Sequence, residues 1–190
     1  MTTIDTTRGL GERDGLRWWP SALGLLIALG AGFGTDDGVD VAWVVTVAAL
    51  VYVGAAATGA GMAVWWWFLG TIPVIAVGEV IDAPAVLNGV FIGIAALAVV
   101  WGIVRGRWSD PDGLSLQSLA MVVFAAVSLL AFVVDTTAGG LLVAAGLIGH
   151  AAWDLYHHRT NRVVVRSYAE ACIVLDVALA VMIVVAVLSS

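Results

Sequence analysis

Long apolar runs alternate with short polar connections along almost the whole chain. Each run is close to the ~20 residues that an α-helix needs to cross the hydrocarbon core of a membrane. Backbone groups in lipid must hydrogen-bond internally, and the alternating pattern of a barrel strand is missing, so we expect helices. The predicted helices cover residues 18–34, 41–58, 62–80, 84–104, 114–134, 138–158 and 168–188.

This pattern predicts an all-α integral membrane protein, folded as a bundle of about seven transmembrane helices. Residues 1–17 are polar and are predicted to form a cytoplasmic tail, whereas residues 18–190 are predicted to form a single transmembrane domain. Of the 190 residues, 62% are hydrophobic and 12% are charged. A soluble domain has about twice that charged fraction, so we expect a multi-pass protein of the cell membrane that is solvated by lipid.

The charges predict the orientation of the chain in the membrane. All eight basic residues are arginines, and they lie in the tail and in the connections after the fourth and sixth predicted helices. The connections after the first, third and fifth helices carry acidic residues and no base. Because arginine marks the cytoplasmic side, the N-terminus is predicted inside and the C-terminus outside.

Composition also argues against several classes of function. The chain has no lysine, so it cannot form the Schiff base of a retinal protein. The net charge of −6 disfavours a nucleic-acid partner. The single Cys172 excludes an intrachain disulfide, and histidines confined to one segment cannot supply an intrachain bis-histidine haem. Membrane lipids are the expected partners, with a homo-oligomer or a membrane partner subunit as further expectations.

Ionisable residues inside the predicted helices are concentrated near the C-terminus, in residues 149–158 and 168–176. At 100° per residue, His150, Asp154 and His157 share one helix face, and the last helix carries a second polar face that includes Asp176. His150 and Asp176 each lie about 12 Å from the cytoplasmic ends of two antiparallel neighbouring helices. We therefore expect the two faces to meet at one depth.

Two histidines with one or two carboxylates form a reasonable ligand set for Zn²⁺ or Fe²⁺. A water on such a metal could attack a lipid ester or amide, with Tyr168 or Glu170 as the acid–base group. The predicted metal ligands are His150, Asp154, His157 and Asp176.

Three other interpretations of the same residues remain open. Buried Asp and His can hydrogen-bond to each other and simply lock two helices together. The carboxylates could instead serve a proton relay in a small proton-coupled transporter or channel. The chain could also be a non-catalytic membrane subunit whose polar residues fix helix packing.

The C-terminal stretch carries an H-xxx-D-xx-HH run, followed by a C-xxx-D helix. In this respect it resembles a group of small bacterial membrane proteins catalogued as domain of unknown function 6010, and the resemblance implies no particular reaction. The shared positions are Gly149, His150, Asp154, His157, His158, Ala171, Cys172 and Asp176.

A looser likeness is to the membrane-embedded zinc hydrolases that include the adiponectin receptors and alkaline ceramidases. The receptor branch is similar in having seven helices, an internal N-terminus and a His/Asp site on the cytoplasmic side. That branch takes a histidine pair from its last helix, whereas residues 168–188 of this chain contain no histidine.

Overall fold

The computed structural model describes residues 18–111 and 113–189, and within these ranges the chain is all-helical, with no strand. The predicted tail over residues 1–17 lies outside the described residues. The helices are α1 Trp19–Gly32, α2 Trp43–Thr58, α3 Ala63–Ile81, α4 Pro84–Val104, α5 Leu114–Ala131, α6 Thr136–Thr160 and α7 Arg166–Ser189.

The helix ends follow from local chemistry. Pro84 begins α4, where its fixed φ suits a first helical turn and its missing N–H is not needed. Asp135 caps α6, because its side chain accepts a hydrogen bond from the Ala138 amide at 3.0 Å. Gly59 ends α2 with a φ of 73° and donates its N–H to carbonyls of the last turn.

Helices α3 to α7 are each long and apolar enough to cross a membrane. Helices α1 and α2 contain 14 and 16 residues and are shorter than the predicted segments. At the C-terminal end of α1, Phe33 adopts an extended conformation and Gly34 has a positive φ, so the helix ends before residue 34. The all-helical prediction is confirmed, whereas five helices rather than seven meet the length expected of a membrane span.

Helix α2 lies at the centre of the bundle and packs against α3, α4, α5 and α6. The other helices follow one another around it in the order α3, α4, α5, α6, α7, α1. Nearly every residue of α2 is buried, and most are Ala or Val, which allow neighbouring helices to approach closely. At the closest approach, a Cβ added to Gly54 would lie 2.1 Å from the ring of Trp67 on α3.

Helix α1 is attached to the outside of the bundle through α7. A Cβ added to Gly24 would lie 2.0 Å from the carbonyl oxygen of Ala171, so only glycine permits this packing. One turn earlier, the Ser21 hydroxyl donates a hydrogen bond of 2.6 Å to Glu170. Small residues and polar contacts of this kind hold helices together where lipid supplies no hydrophobic driving force.

Candidate functional site

Three ionisable side chains meet between α6 and α7 in the interior of the bundle. His150 Nδ1 lies 2.8 Å from Asp176 Oδ2 and 3.1 Å from Asp154 Oδ2. All three residues are 0% exposed. We call this group the His–Asp cluster, and its position confirms the expectation that His150 and Asp176 meet at one level.

The local structure explains why these residues converge. His150 and Asp154 are four residues apart on α6, so their side chains lie one turn apart on the same face. Helix α7 packs against that face, and Asp176 lies ten residues after Arg166, the first residue of α7. The cluster therefore lies about 15 Å along each helix from its nearer end, and its side chains are not exposed to solvent.

Helix α2 contributes a residue that the sequence did not suggest for this site. The Tyr52 hydroxyl donates a hydrogen bond of 2.5 Å to Asp154 Oδ1. Tyr52 is 1% exposed, and its ring packs edge-on against His150 with the centroids 5.5 Å apart. One oxygen of Asp154 is thus held by Tyr52, and the other faces His150.

His157 is buried on the same helix but belongs to a separate network. Its Nδ1 lies 2.9 Å from the Trp153 carbonyl, and its Nε2 lies 3.1 Å from Gln117 Nε2. Because a carbonyl only accepts, Nδ1 carries the proton. The Trp153 indole donates to Gln117 Oε1, which turns the amide nitrogen of Gln117 toward His157. Both nitrogens of His157 therefore have protein partners.

The structure places the two predicted acid–base residues in other surroundings. Glu170 faces α1, where it accepts the hydrogen bond from Ser21. Tyr168 is buried in an aromatic group with Tyr52, Trp65 and Phe68. Cys172, one turn further along α7, belongs to the same buried group. The geometry thus brings His150, Asp154 and Asp176 together and gives the other predicted site residues different partners.

The charges of the His–Asp cluster are unbalanced without a cation. Two carboxylates face one imidazole nitrogen in a region of low dielectric, where an uncompensated negative charge is costly. Among the described residues, His150 Nε2 and Asp176 Oδ1 have no hydrogen-bond partner. No arginine pairs with the cluster within the described part of the chain. The missing positive charge must come from protons or from a bound ion.

The cluster could hold a metal ion. One ligand atom from each of the three residues lies within 4.8 Å of the others. Distances near 3 Å between ligand atoms are compatible with a Zn²⁺ or Fe²⁺ ion that is about 2.0–2.2 Å from each. Tyr52 would then fix the orientation of a metal ligand, because its hydroxyl donates a hydrogen bond to Asp154 Oδ1.

Sequence reasoning missed Tyr52 and Gln117, although one signal was present. Each is a polar side chain within an apolar predicted helix, and such residues need a partner in lipid. The partner itself could not be read from the sequence, because Tyr52 and Asp154 are separated by 102 residues. Comparison with known proteins adds no further assignment: no protein-family description, curated protein or solved structure matches this chain.

Proposed function

We propose that the chain crosses the cell membrane seven times, with its N-terminus inside and its C-terminus outside. The arginines of the N-terminal tail and of the connections after the fourth and sixth helices support this orientation. The short length of α2 does not oppose it, because the ends of a helix surrounded by other helices are covered by protein. In this orientation the His–Asp cluster lies nearer to the cytoplasmic face.

We infer that the protein works through a transition-metal ion held by His150, Asp154 and Asp176. The convergence of one imidazole nitrogen and two carboxylate oxygens in a fully buried position carries this proposal. A divalent cation would balance the two carboxylates and leave His150 neutral. Zn²⁺ or Fe²⁺ suits this mixture of nitrogen and oxygen ligands. The fourth predicted ligand, His157, stays a prediction and would need to exchange Gln117 for the metal.

Hydrolysis of a lipid ester or amide is the reaction that we propose for this centre. A metal-bound water would lose a proton, and the resulting hydroxide would attack the carbonyl carbon. The C–O or C–N bond would then break, and the proton would pass to the leaving oxygen or nitrogen. The acid–base role of Tyr168 or Glu170 stays a prediction. The likeness of the C-terminal stretch to domain of unknown function 6010 supports the choice of region and not the reaction.

Ion or proton transport is a second candidate, favoured by the enclosure of the cluster. His150, Asp154 and Asp176 are all 0% exposed, a setting that suits a small cation better than the ester group of a lipid. A transporter would reach the cluster alternately from the two faces of the membrane.

Reconstituted protein can separate the two candidates. Wild-type protein and the Asp176→Asn variant would be placed in lipid vesicles after loading with Zn²⁺ or Fe²⁺. A hydrolase releases fatty acid from lipid esters or ceramide-like amides, and the variant does not. A transporter shows metal or proton flux that the variant abolishes. If the Asp176→Asn variant keeps whichever activity the wild type shows, a functional role for the cluster is contradicted. The interpretation of the cluster as a helix lock would then stand.

A further inference from the structure

A cleft with a volume of about 610 Å³ lies in the gap between α1 and α3. Val44 of α2 lies at its floor, and Ile27 of α1 and Ile75 of α3 form its walls. The same two helices meet nearer the opposite face, where the rings of Trp19 and Trp65 are 5.5 Å apart. The cleft therefore lies in the half of the bundle away from the arginines.

The cleft is amphipathic along its length. Its lining is mostly apolar. Its charged residues are Asp40, Glu79 and Asp82, which all lie at the end of the bundle away from the arginines. The lining of the cleft includes no base among the described residues. Asp40 accepts a hydrogen bond from the Thr35 hydroxyl, whereas the carboxylates of Glu79 and Asp82 have no protein partner in the described part of the chain.

The dimensions fit a chain-shaped molecule. From Glu79 to Phe68 the cleft follows α3 for eleven residues, which corresponds to about 17 Å of helix. Its volume is within the ~300–1,000 Å³ range of small-molecule sites. The inner end reaches Leu175, the residue before Asp176, so the cleft approaches the His–Asp cluster without opening into it.

We propose that this cleft binds a single-chain amphiphile with a cationic headgroup, such as an alkylammonium. The alkyl chain lies along the apolar floor, and the ammonium group lies among the three carboxylates. The charge complementarity of the rim selects a cation over a neutral or anionic lipid. This binding needs no metal, so it does not depend on the function proposed for the His–Asp cluster.

A pair of fluorophores tests the proposal with the full chain in phosphatidylcholine nanodiscs. Cationic trimethylammonium diphenylhexatriene and its uncharged parent would be titrated, with energy transfer from tryptophan as the signal and empty nanodiscs as the blank. We expect saturable binding of the cationic probe alone. Dodecyltrimethylammonium should displace it, and dodecanol should not.

Two leucine substitutions locate the binding. Gly30 lines the cleft, and a Cβ there meets nothing within 4 Å, so Gly30→Leu fills the cleft without a clash. Gly93 on α4 has equal space and lies outside the cleft lining, so Gly93→Leu is the matched control. We expect Gly30→Leu to abolish saturable binding and Gly93→Leu to keep it.

Neutralising the rim tests the headgroup. The combined variant Asp40→Asn, Glu79→Gln, Asp82→Asn should weaken cationic binding by about tenfold, because each carboxylate is exposed and contributes modestly. Equal binding of both probes would show that the cleft holds neutral lipid and would overturn the proposal. Three further results would also overturn the proposal. They are no saturable binding of the cationic probe, full binding of that probe to Gly30→Leu, and unchanged binding of that probe to the variant with the neutralised rim.

Discussion

Two of the polar clusters that are buried among the described residues differ in charge. In the first, Ser128 of α5 donates to the Ala42 carbonyl at 2.8 Å and lies 3.0 Å from Asn88 Oδ1 of α4. We call it the neutral cluster. The second is the His–Asp cluster. Tyr52, which lies ten residues after Ala42 in the chain, donates a hydrogen bond to Asp154 of this cluster. Both are inaccessible to solvent, and both connect three helices.

The neutral cluster shows what helix packing alone requires. A hydroxyl, an amide and a backbone carbonyl connect α2, α4 and α5 without placing any charge in lipid. The His–Asp cluster connects α2, α6 and α7 with two carboxylates, although one carboxylate would suffice to pair with His150. Buried charges are costly, and apolar residues often replace them without loss of stability. The second carboxylate is therefore the feature of the His–Asp cluster that the proposed metal site would account for.

The largest effect that separates the two clusters should come from Asp176→Asn. This change keeps the side-chain shape and removes one charge, so we expect metal affinity to fall by more than about 100-fold. Without metal, unfolding should become no easier, because an uncompensated charge has gone. The measurements are metal titration and thermal unfolding in chelator. Glu170→Gln, on the same helix but facing Ser21, is the control and should retain the metal. A large loss of metal-free stability in Asp176→Asn would favour the helix lock.

Tyr52→Phe should have an intermediate effect. The change removes only the hydroxyl that holds Asp154, and loss of such an outer hydrogen bond typically lowers metal affinity by about 10–100-fold. Competition with a fluorescent chelator would measure the affinity. Tyr156→Phe is the matched control, since Tyr156 is 40% exposed on α6. Equal affinities in the two variants would exclude the orienting role of Tyr52.

Ser128→Ala should have the smallest effect and should act on stability alone. Loss of the hydroxyl removes the contacts with Ala42 and Asn88 and should lower the free energy of unfolding by about 1 kcal/mol. Metal affinity should stay at the wild-type value. Ser118→Ala on the same helix is the control, because its hydroxyl donates to the Leu114 carbonyl of its own helix. A change in metal affinity in Ser128→Ala would show that the clusters are coupled.

The helices were predictable because lipid imposes a strong length and polarity constraint on each segment. The predicted range 84–104 coincides with α4, where Pro84 and the arginines after Val104 mark both ends. The prediction was less accurate at α1, where local backbone conformations at Phe33 and Gly34 shorten the helix. Apolar composition also cannot distinguish the buried α2 from α3, most of whose residues are exposed.

Only the part of the site that comes from the consecutive helices α6 and α7 was predictable from the sequence. His150, Asp154 and Asp176 follow from helical periodicity and one antiparallel turn, which the sequence contains. Tyr52 and Gln117 depend on how α2 and α5 pack against α6, and periodicity within one helix carries no such information. For the same reason His157 shares the face of His150 and yet bonds to Gln117.

Elemental analysis of the purified protein tests the central claim most directly. Wild type, His150→Ala and His157→Ala would be purified without chelator, supplied with Zn²⁺ or Fe²⁺ and freed of excess metal. We expect about one ion per chain in the wild type and in His157→Ala, and none in His150→Ala. A wild type that stays empty after metal addition, or a His150→Ala variant that retains the ion, would contradict the account.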